Sequence, residues 1–196
     1  MRFISGFVVA LLLMVVGGYA LLTSGRWDVA ADRPLPPLVG HALAMAQRAS
    51  VKARAGQPDL PPLADPVLVE EGGRSYGALC EACHGGPGAE PGFLGRAVSP
   101  RPVDLSLVEQ RWTPADLFWI VKHGLQGTGM PAFGMARVDA ELWPVVAFVG
   151  QLPGMTPQRY RELAHPPAHS PPAADPESAS PEPPPPVDQQ VMPPRE

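Results

Sequence analysis

The sequence predicts an all-α protein with an apolar N-terminal helix, a small helical domain in the middle and a proline-rich C-terminal tail. Residues 3–22 carry no charge and are mostly apolar. The middle of the chain has apolar residues at helical spacing, in segments that begin with capping signals and end at Gly or Pro. Residues 165–196 contain twelve prolines and show no apolar period, so we expect them to form a disordered, solvated tail.

The N-terminal run is long enough to cross a membrane. A helix of twenty residues rises about 30 Å, which matches the apolar thickness of a bilayer. A cleaved signal peptide is the alternative, but its apolar core usually has about 7–15 residues. The one candidate cleavage site, at residues 29–31, lies beyond Arg26 and Asp28. We therefore expect residues 1–25 to remain as a single transmembrane anchor, with Arg2 on the cytoplasmic side.

Residues 26–64 are predicted to be a linker that contains one short helix. Residues 38–54 have small and apolar side chains at helical spacing and a basic end. This helix could lie against the following domain, or it could bind a membrane surface. The first interpretation is favoured because its apolar face consists mostly of alanine, which binds lipid weakly. The apolar and small positions are Leu38, Ala42, Met45, Ala49 and Ala53.

The central motif of the chain is Cys-Glu-Ala-Cys-His at residues 80–84. Cys80 and Cys83 are the only two cysteines, and His84 follows directly. This spacing is that of c-type haem attachment, in which both thiols form thioethers with one porphyrin and the histidine ligates its iron. A zinc site would need two further ligands, and a thioredoxin-like motif would need a strand–helix setting. A disulfide would close too small a loop to stabilise much. We predict one covalent haem c with His84 as the proximal ligand.

Two helix starts flank a loop in the helical domain. Asp65-Pro66 begins a helix that runs into the cysteine motif, whereas the many Gly and Pro residues at 84–105 predict a loop. At residues 113–116, Thr-Pro-Ala-Asp predicts a capping box, and the helix that follows ends at Gly124. Its aromatic and apolar side chains Phe118, Trp119 and Val121 are available to line a haem pocket.

The last predicted helices lie at residues 139–152 and 155–163. Pro144 interrupts the first of them, and we expect it to move the helix start to about Trp143. The second is predicted to be a short surface helix.

Between Gly124 and the first of these helices, a Gly- and Pro-rich loop carries Met130. Its thioether is a soft, neutral ligand that could reach iron, and Met135 and His123 are the rival candidates. At a helix end, His123 is better explained by the helix dipole.

These features resemble the class I monohaem c-type cytochromes of the membrane-anchored bacterial type, over about residues 65–160. The resemblance rests on the cysteine motif, on Gly72 and Tyr76 at eight and four residues before Cys80, on Trp-Thr-Pro at 112–114, and on Met130-Pro131. It implies a small cytochrome c fold over residues 65–164, with Met130 as the distal ligand. It also implies that the helix with Gly72 and Tyr76 meets Trp143 or Phe148 of the C-terminal helix.

The resemblance further implies that a loop proline accepts a hydrogen bond from the iron-bound histidine through its carbonyl oxygen. Pro91 is the favoured match, and Pro87 is the alternative. With His84 and Met130 both on iron, no site is left for a substrate. The family therefore implies an electron carrier, not an enzyme, on the periplasmic side of the bacterial inner membrane.

Composition narrows the choice of partners. The net charge of −4 argues against nucleic acid. Lys52 and Lys122 are the only lysines, so the chain has no lysine ring with which to bind a partner. We expect redox proteins at the membrane as partners and no small-molecule substrate. Two other functions remain open: a haem-bearing subunit of a membrane oxidoreductase complex, and a haem-based gas sensor that binds its ligand when Met130 dissociates.

Overall fold

The computed structural model describes residues 2–26, 28–107 and 112–167. These residues form α-helices joined by turns and loops, and no β-strand occurs among them, which confirms the all-α prediction. The predicted disordered tail lies outside the described residues from residue 168 onward. All of the helices lie within the compact unit Met1–Pro166. The helices are α1 (Arg2–Thr23), α2 (Pro37–Arg54), α3 (Pro66–Leu79), α4 (Glu81–His84), α5 (Phe93–Ala97), α6 (Pro114–His123), α7 (Asp139–Gln151) and α8 (Pro157–Ala164).

Helix α1 covers the predicted apolar run. Within it, Phe3–Thr23 has a mean hydropathy of 2.3, and its side chains are exposed along the whole length. By length and composition this helix could cross a membrane, although an N-terminal signal sequence would meet the same criterion.

Helix α2 packs on α6, so this helix lies against the domain and is not simply a linker. Val51 is completely buried, and Lys52 forms an ion pair with Asp116 of α6. The packed face differs from the predicted one, because Leu38 and Met45 of the alanine-rich stripe are 80% and 60% exposed. Val51 and the long aliphatic part of Lys52 cover more of the domain surface than alanine side chains can. This larger contact area decides which face of α2 packs on the domain.

Helices α3 and α7 cross at a glycine. A β-carbon on Gly72 would lie 1.9 Å from the carbonyl oxygen of Pro144 and 2.8 Å from the β-carbon of Phe148. The rings of Tyr76 and Phe148 are 5.3 Å apart. Phe148 therefore makes the predicted contact with α3. Trp143 stacks instead on Phe118 of α6, at 4.1 Å between ring centroids.

The helix predicted at residues 139–152 is confirmed as α7, Asp139–Gln151, whereas the expected move of its start to about Trp143 is wrong. Pro144 lies within α7 and removes only one backbone donor. Polar contacts hold the turn before it: the Glu141 carboxylate accepts a hydrogen bond from Val138 N at 3.1 Å, and Lys122 pairs with Asp139 at 2.7 Å. These contacts hold the first turn of α7 in place ahead of Pro144.

The prediction of a short surface helix near residue 160 is also wrong, because α8 belongs to the core. Tyr160, Leu163 and Ala164 are all buried, at i, i+3 and i+4 spacing that the sequence already shows. A β-carbon on Gly73 would lie 2.7 Å from the carbonyl oxygen of Leu163, and one on Gly77 would lie 2.4 Å from that of Ala164. Two glycines on α3 thus let α8 approach closely enough to bury its apolar side.

Candidate functional site

The cysteine motif occupies one helical turn directly after α3. The amide of Cys80 donates to Tyr76 O at 2.8 Å, and the amide of His84 donates to Cys80 O at 2.9 Å. Cys80, Cys83 and His84 therefore sit on consecutive helical backbone, as the haem-attachment motif requires. The buried Tyr76 hydroxyl donates to Gly85 O at 2.8 Å, and this bond fixes the end of the turn.

Both cysteines are partly exposed, and no disulfide links them. No strand precedes the motif among the described residues, which disfavours the thioredoxin-like alternative, since that motif needs a strand–helix setting. Within the described residues, no group of three or more His, Cys, Asp or Glu side chains could hold a metal ion, and a zinc site has no support there.

A cleft between α3, α6 and α7 reaches the cysteine motif. Cys80 forms part of its wall, and Arg137 and Glu141 supply charged side chains. The other lining residues are mainly apolar: Ser75, Leu79, Val121, Phe133, Leu142 and Val145. This cleft is small and is lined by neither Cys83 nor His84; what fits a haem is the donor set, two thiols and an imidazole on one helical turn. The residues present thus fit a haem held at the motif.

The ring of His84 makes a hydrogen bond that the sequence did not indicate. Its Nδ1 lies 2.8 Å from Val103 O, and because a carbonyl only accepts, Nδ1–H is the donor. The remaining nitrogen, Nε2, then keeps its lone pair for iron.

The expected hydrogen bond from His84 to the carbonyl of Pro91 is not formed. Pro91 O accepts from Arg96 Nη1 at 2.6 Å. Arg96 lies on the short helix α5, within a stretch that the sequence predicted to be a loop throughout. Helix α5 packs on the motif, since a β-carbon on Gly95 would lie 2.4 Å from Cys83 O. Pro91 is partly buried beside the motif, and its place in the haem pocket remains a prediction.

The loop that carries Met130 is held against the end of α6. Gly124 ends that helix with φ of 66°, and a β-carbon there would lie 2.7 Å from Met130 O. The amide of Met130 donates to Thr128 Oγ1 at 3.1 Å, and the same hydroxyl donates to Leu125 O at 2.7 Å. The Met130 side chain is partly buried against the core. Thr128 was not identified from the sequence, although its place two residues before the methionine is typical of a hydroxyl that caps a turn.

The rival iron ligands are more exposed than Met130. Met135 is 90% exposed, in the 3₁₀ turn Phe133–Met135. His123 is exposed at the C-terminal end of α6, as predicted, and its ring lies 4.8 Å from that of Trp119. Trp119 is partly buried, and its role in the haem pocket remains a prediction.

An all-α domain with this motif, and with a methionine in a loop held against the end of α6, is typical of c-type cytochromes. Residues 67–149 match the family model described as cytochrome c oxidase, cbb3-type, subunit III, and this stretch is a c-type cytochrome domain. Such a domain supports a haem-based electron-transfer protein and implies a covalent haem c. Searches among curated proteins and among solved structures gave no match.

Proposed function

We propose that this protein is a membrane-anchored electron carrier with one haem c, ligated by His84 and Met130. It shuttles single electrons between partners of a membrane-bound respiratory chain, on the periplasmic side of the bacterial inner membrane. The observation that carries the proposal is that Cys80, Cys83 and His84 share one helical turn within a c-type cytochrome domain, with His84 Nδ1 bonded to Val103 O.

Ligation of the iron by both His84 and Met130 would explain why the protein carries electrons and does not act as an enzyme. When bound, the haem would supply the one-electron chemistry, and Cys80, Cys83, His84 and Met130 would hold it. The hydrogen bond from His84 to Val103 O orients the imidazole, and a thioether ligand from Met130 would favour a higher reduction potential than a second histidine would. With both residues on the iron, a small substrate would have no ligand position left.

The proposed anchor keeps the haem close to the membrane. Because α2 packs on α6, only residues 24–36 connect α1 to the helical domain. Thirteen residues span at most about 45 Å when fully extended. The haem domain would therefore stay within reach of membrane-bound redox proteins. The proposed division of the chain is an anchor at residues 1–25, a linker at 26–64, the haem domain at 65–164 and a tail at 165–196.

The test is to purify the protein from membranes with its haem attached. We expect the haem stain to remain on the polypeptide in denaturing electrophoresis, with one haem per chain, and the intact mass to include residues 1–22. We also expect rapid reduction and reoxidation by small mediators and no binding of CO by the ferrous protein. A haem that acid acetone extracts, or CO binding by the wild-type protein, would contradict the proposal, and the second result would support a gas sensor.

The family match favours one second candidate, a haem-bearing subunit of a membrane oxidoreductase complex. Extraction in a mild detergent distinguishes it from a carrier. A free carrier sediments as its own detergent complex, whereas a subunit co-purifies in fixed ratio with a larger chain that has its own cofactors and oxidase activity.

A further inference from the structure

One face of α2 contacts the turn that leads to Met130. Gln47 Nε2 donates a hydrogen bond to Gln126 O at 2.9 Å. One helical turn earlier, Leu43 covers the next residue of the turn, since a β-carbon on Gly127 would lie 3.1 Å from Leu43 Cδ2. Residues four apart lie on the same face of a helix, so these two contacts belong to one surface.

Helix α2 is itself held firmly on the domain. Val51, one turn beyond Gln47, is completely buried. Lys52 is paired with the buried carboxylate of Asp116, and the charged groups of Arg48 and Lys52 each lie 5.6 Å from the centre of the Trp112 ring. These contacts combine burial, an ion pair and cation–π attraction, so α2 presents Leu43 and Gln47 from a fixed position.

The contacted turn continues directly into the methionine. The Thr128 hydroxyl links Leu125 O to the amide of Met130. The loop also contacts Val98, since a β-carbon on Gly129 would lie 2.9 Å from Val98 Cγ1. The residues just before Met130 are therefore held by contacts with both α2 and Val98, and their position sets where the Met130 side chain begins.

We propose that Leu43 and Gln47 are positioning residues for the distal ligand, and that α2 holds the Met130 loop so that the thioether stays on iron. This inference rests on the proposed ligation of iron by Met130. A neutral thioether stays on iron more readily when the loop around it is already ordered, because ordering a free loop costs backbone conformational entropy. The segment that follows the membrane helix thus takes part in the haem site, although it lies outside the stretch that matches the cytochrome family model.

The test compares three variants of the full-length holoprotein in detergent. Gln47→Glu keeps the shape of the side chain but sets a carboxylate oxygen against Gln126 O, and Leu43→Ala removes the contact with Gly127. Met45→Ala is the matched control, because Met45 lies on the same helix and is 60% exposed. The readouts are the red absorption band of the methionine-ligated ferric haem, its displacement by imidazole, and hydrogen exchange at the amides of residues 125–130.

We expect Gln47→Glu and Leu43→Ala to bind imidazole about threefold to tenfold more tightly than the wild type, the effect of losing one ordinary contact or hydrogen bond. The amides of residues 125–130 should exchange faster in both variants, while Met45→Ala should match the wild type. Lower thermal stability with unchanged imidazole binding would show that α2 has only a structural role and would overturn the inference.

The same measurements separate this inference from the proposed function. If the wild-type protein lacks the methionine band, the proposed ligand set is wrong and the inference fails with it. If the wild type has the band, Met130→Ala loses it, and the α2 variants behave as Met45→Ala does, the ligand set stands and only the inference is wrong.

Discussion

Lys52 on α2 donates a hydrogen bond to the buried carboxylate of Asp116 on α6. The same carboxylate accepts from the amide of Thr113 at 2.8 Å, while the Thr113 hydroxyl accepts from the amide of Asp116 at 3.2 Å. One side chain therefore completes the capping box of α6 and fixes α2 to the domain. Burial alone would raise the pKa of Asp116, but the hydrogen bonds from Lys52 and Thr113 outweigh it and hold that pKa below its ordinary value.

Replacing Asp116 with Asn should lower the free energy of unfolding at pH 7 by about 1–3 kcal/mol, since both a cap and a charged hydrogen bond are weakened. Because the folded-state pKa is depressed, the carboxylate stabilises the fold above its unfolded pKa of about 3.9 and loses this effect as pH falls through the folded value. Thermal unfolding measured from pH 7 to about pH 2 checks this prediction. The difference between wild type and variant should shrink with acidity, whereas Glu162→Gln, in an exposed pair, should show little difference at any pH.

Gly72→Ala should be severely destabilising. Its β-carbon would overlap the carbonyl oxygen of Pro144, and neither backbone can move without separating α3 from α7. We expect a loss of about 3 kcal/mol or more and a low yield of holoprotein. Gly150→Ala on α7 is the control, because no atom lies within 4 Å of a β-carbon there, and it should stabilise the helix by up to about 1 kcal/mol. Equal denaturant midpoints for the two variants would show that the close crossing is absent in solution.

Met130→Ala should remove the methionine band and open the ferrous haem to CO. Met135→Ala and His123→Ala should leave the spectrum unchanged, because both side chains are exposed. Met130→His should keep six-coordinate iron but lower the reduction potential, since imidazole stabilises ferric iron more than a thioether does. Spectra and redox titration of the purified proteins give the answer. Loss of the band in Met135→Ala, with its retention in Met130→Ala, would reassign the distal ligand.

Tyr160→Ala should lower the free energy of unfolding by about 3–5 kcal/mol, the usual cost of removing a buried aromatic side chain. The Tyr160 ring is completely buried, lies over Gly86 and makes an edge contact with Tyr76 at 6.1 Å. Arg161→Ala, at the adjacent exposed position, should change stability by no more than about 0.5 kcal/mol. Chemical denaturation monitored by circular dichroism compares the two, and similar midpoints would mean that α8 is a surface helix after all.

The sequence predicted helix ends correctly where the residues that cap or end the helix lie close together in the chain. Asp65 caps α3 by accepting from the amide of Val67 at 2.9 Å, Thr113 and Asp116 form the capping box of α6, and Gly124 ends that helix. The motif at residues 80–84 predicted haem attachment because it brings two thiols and an imidazole together within one turn. Where a partner from a distant part of the chain decides the outcome, the same patterns failed, as they did for the start of α7 and for the burial of α8.

By itself, the sequence determined the all-α class, the apolar run of α1, the covalent haem motif and the choice of Met130 as the favoured distal ligand, because each depends on residues close together in the chain. The tertiary structure alone decided that His84 bonds to Val103 O and not to Pro91 O, that α8 lies in the core, and that α2 contacts the Met130 loop through Gln47. The physical reason is that a hydrogen bond or a packed surface between distant segments depends on which backbones can approach closely. Glycines such as Gly72 and Gly73 permit that approach. Which residues of α7 and α8 they contact is decided only when the helices pack together.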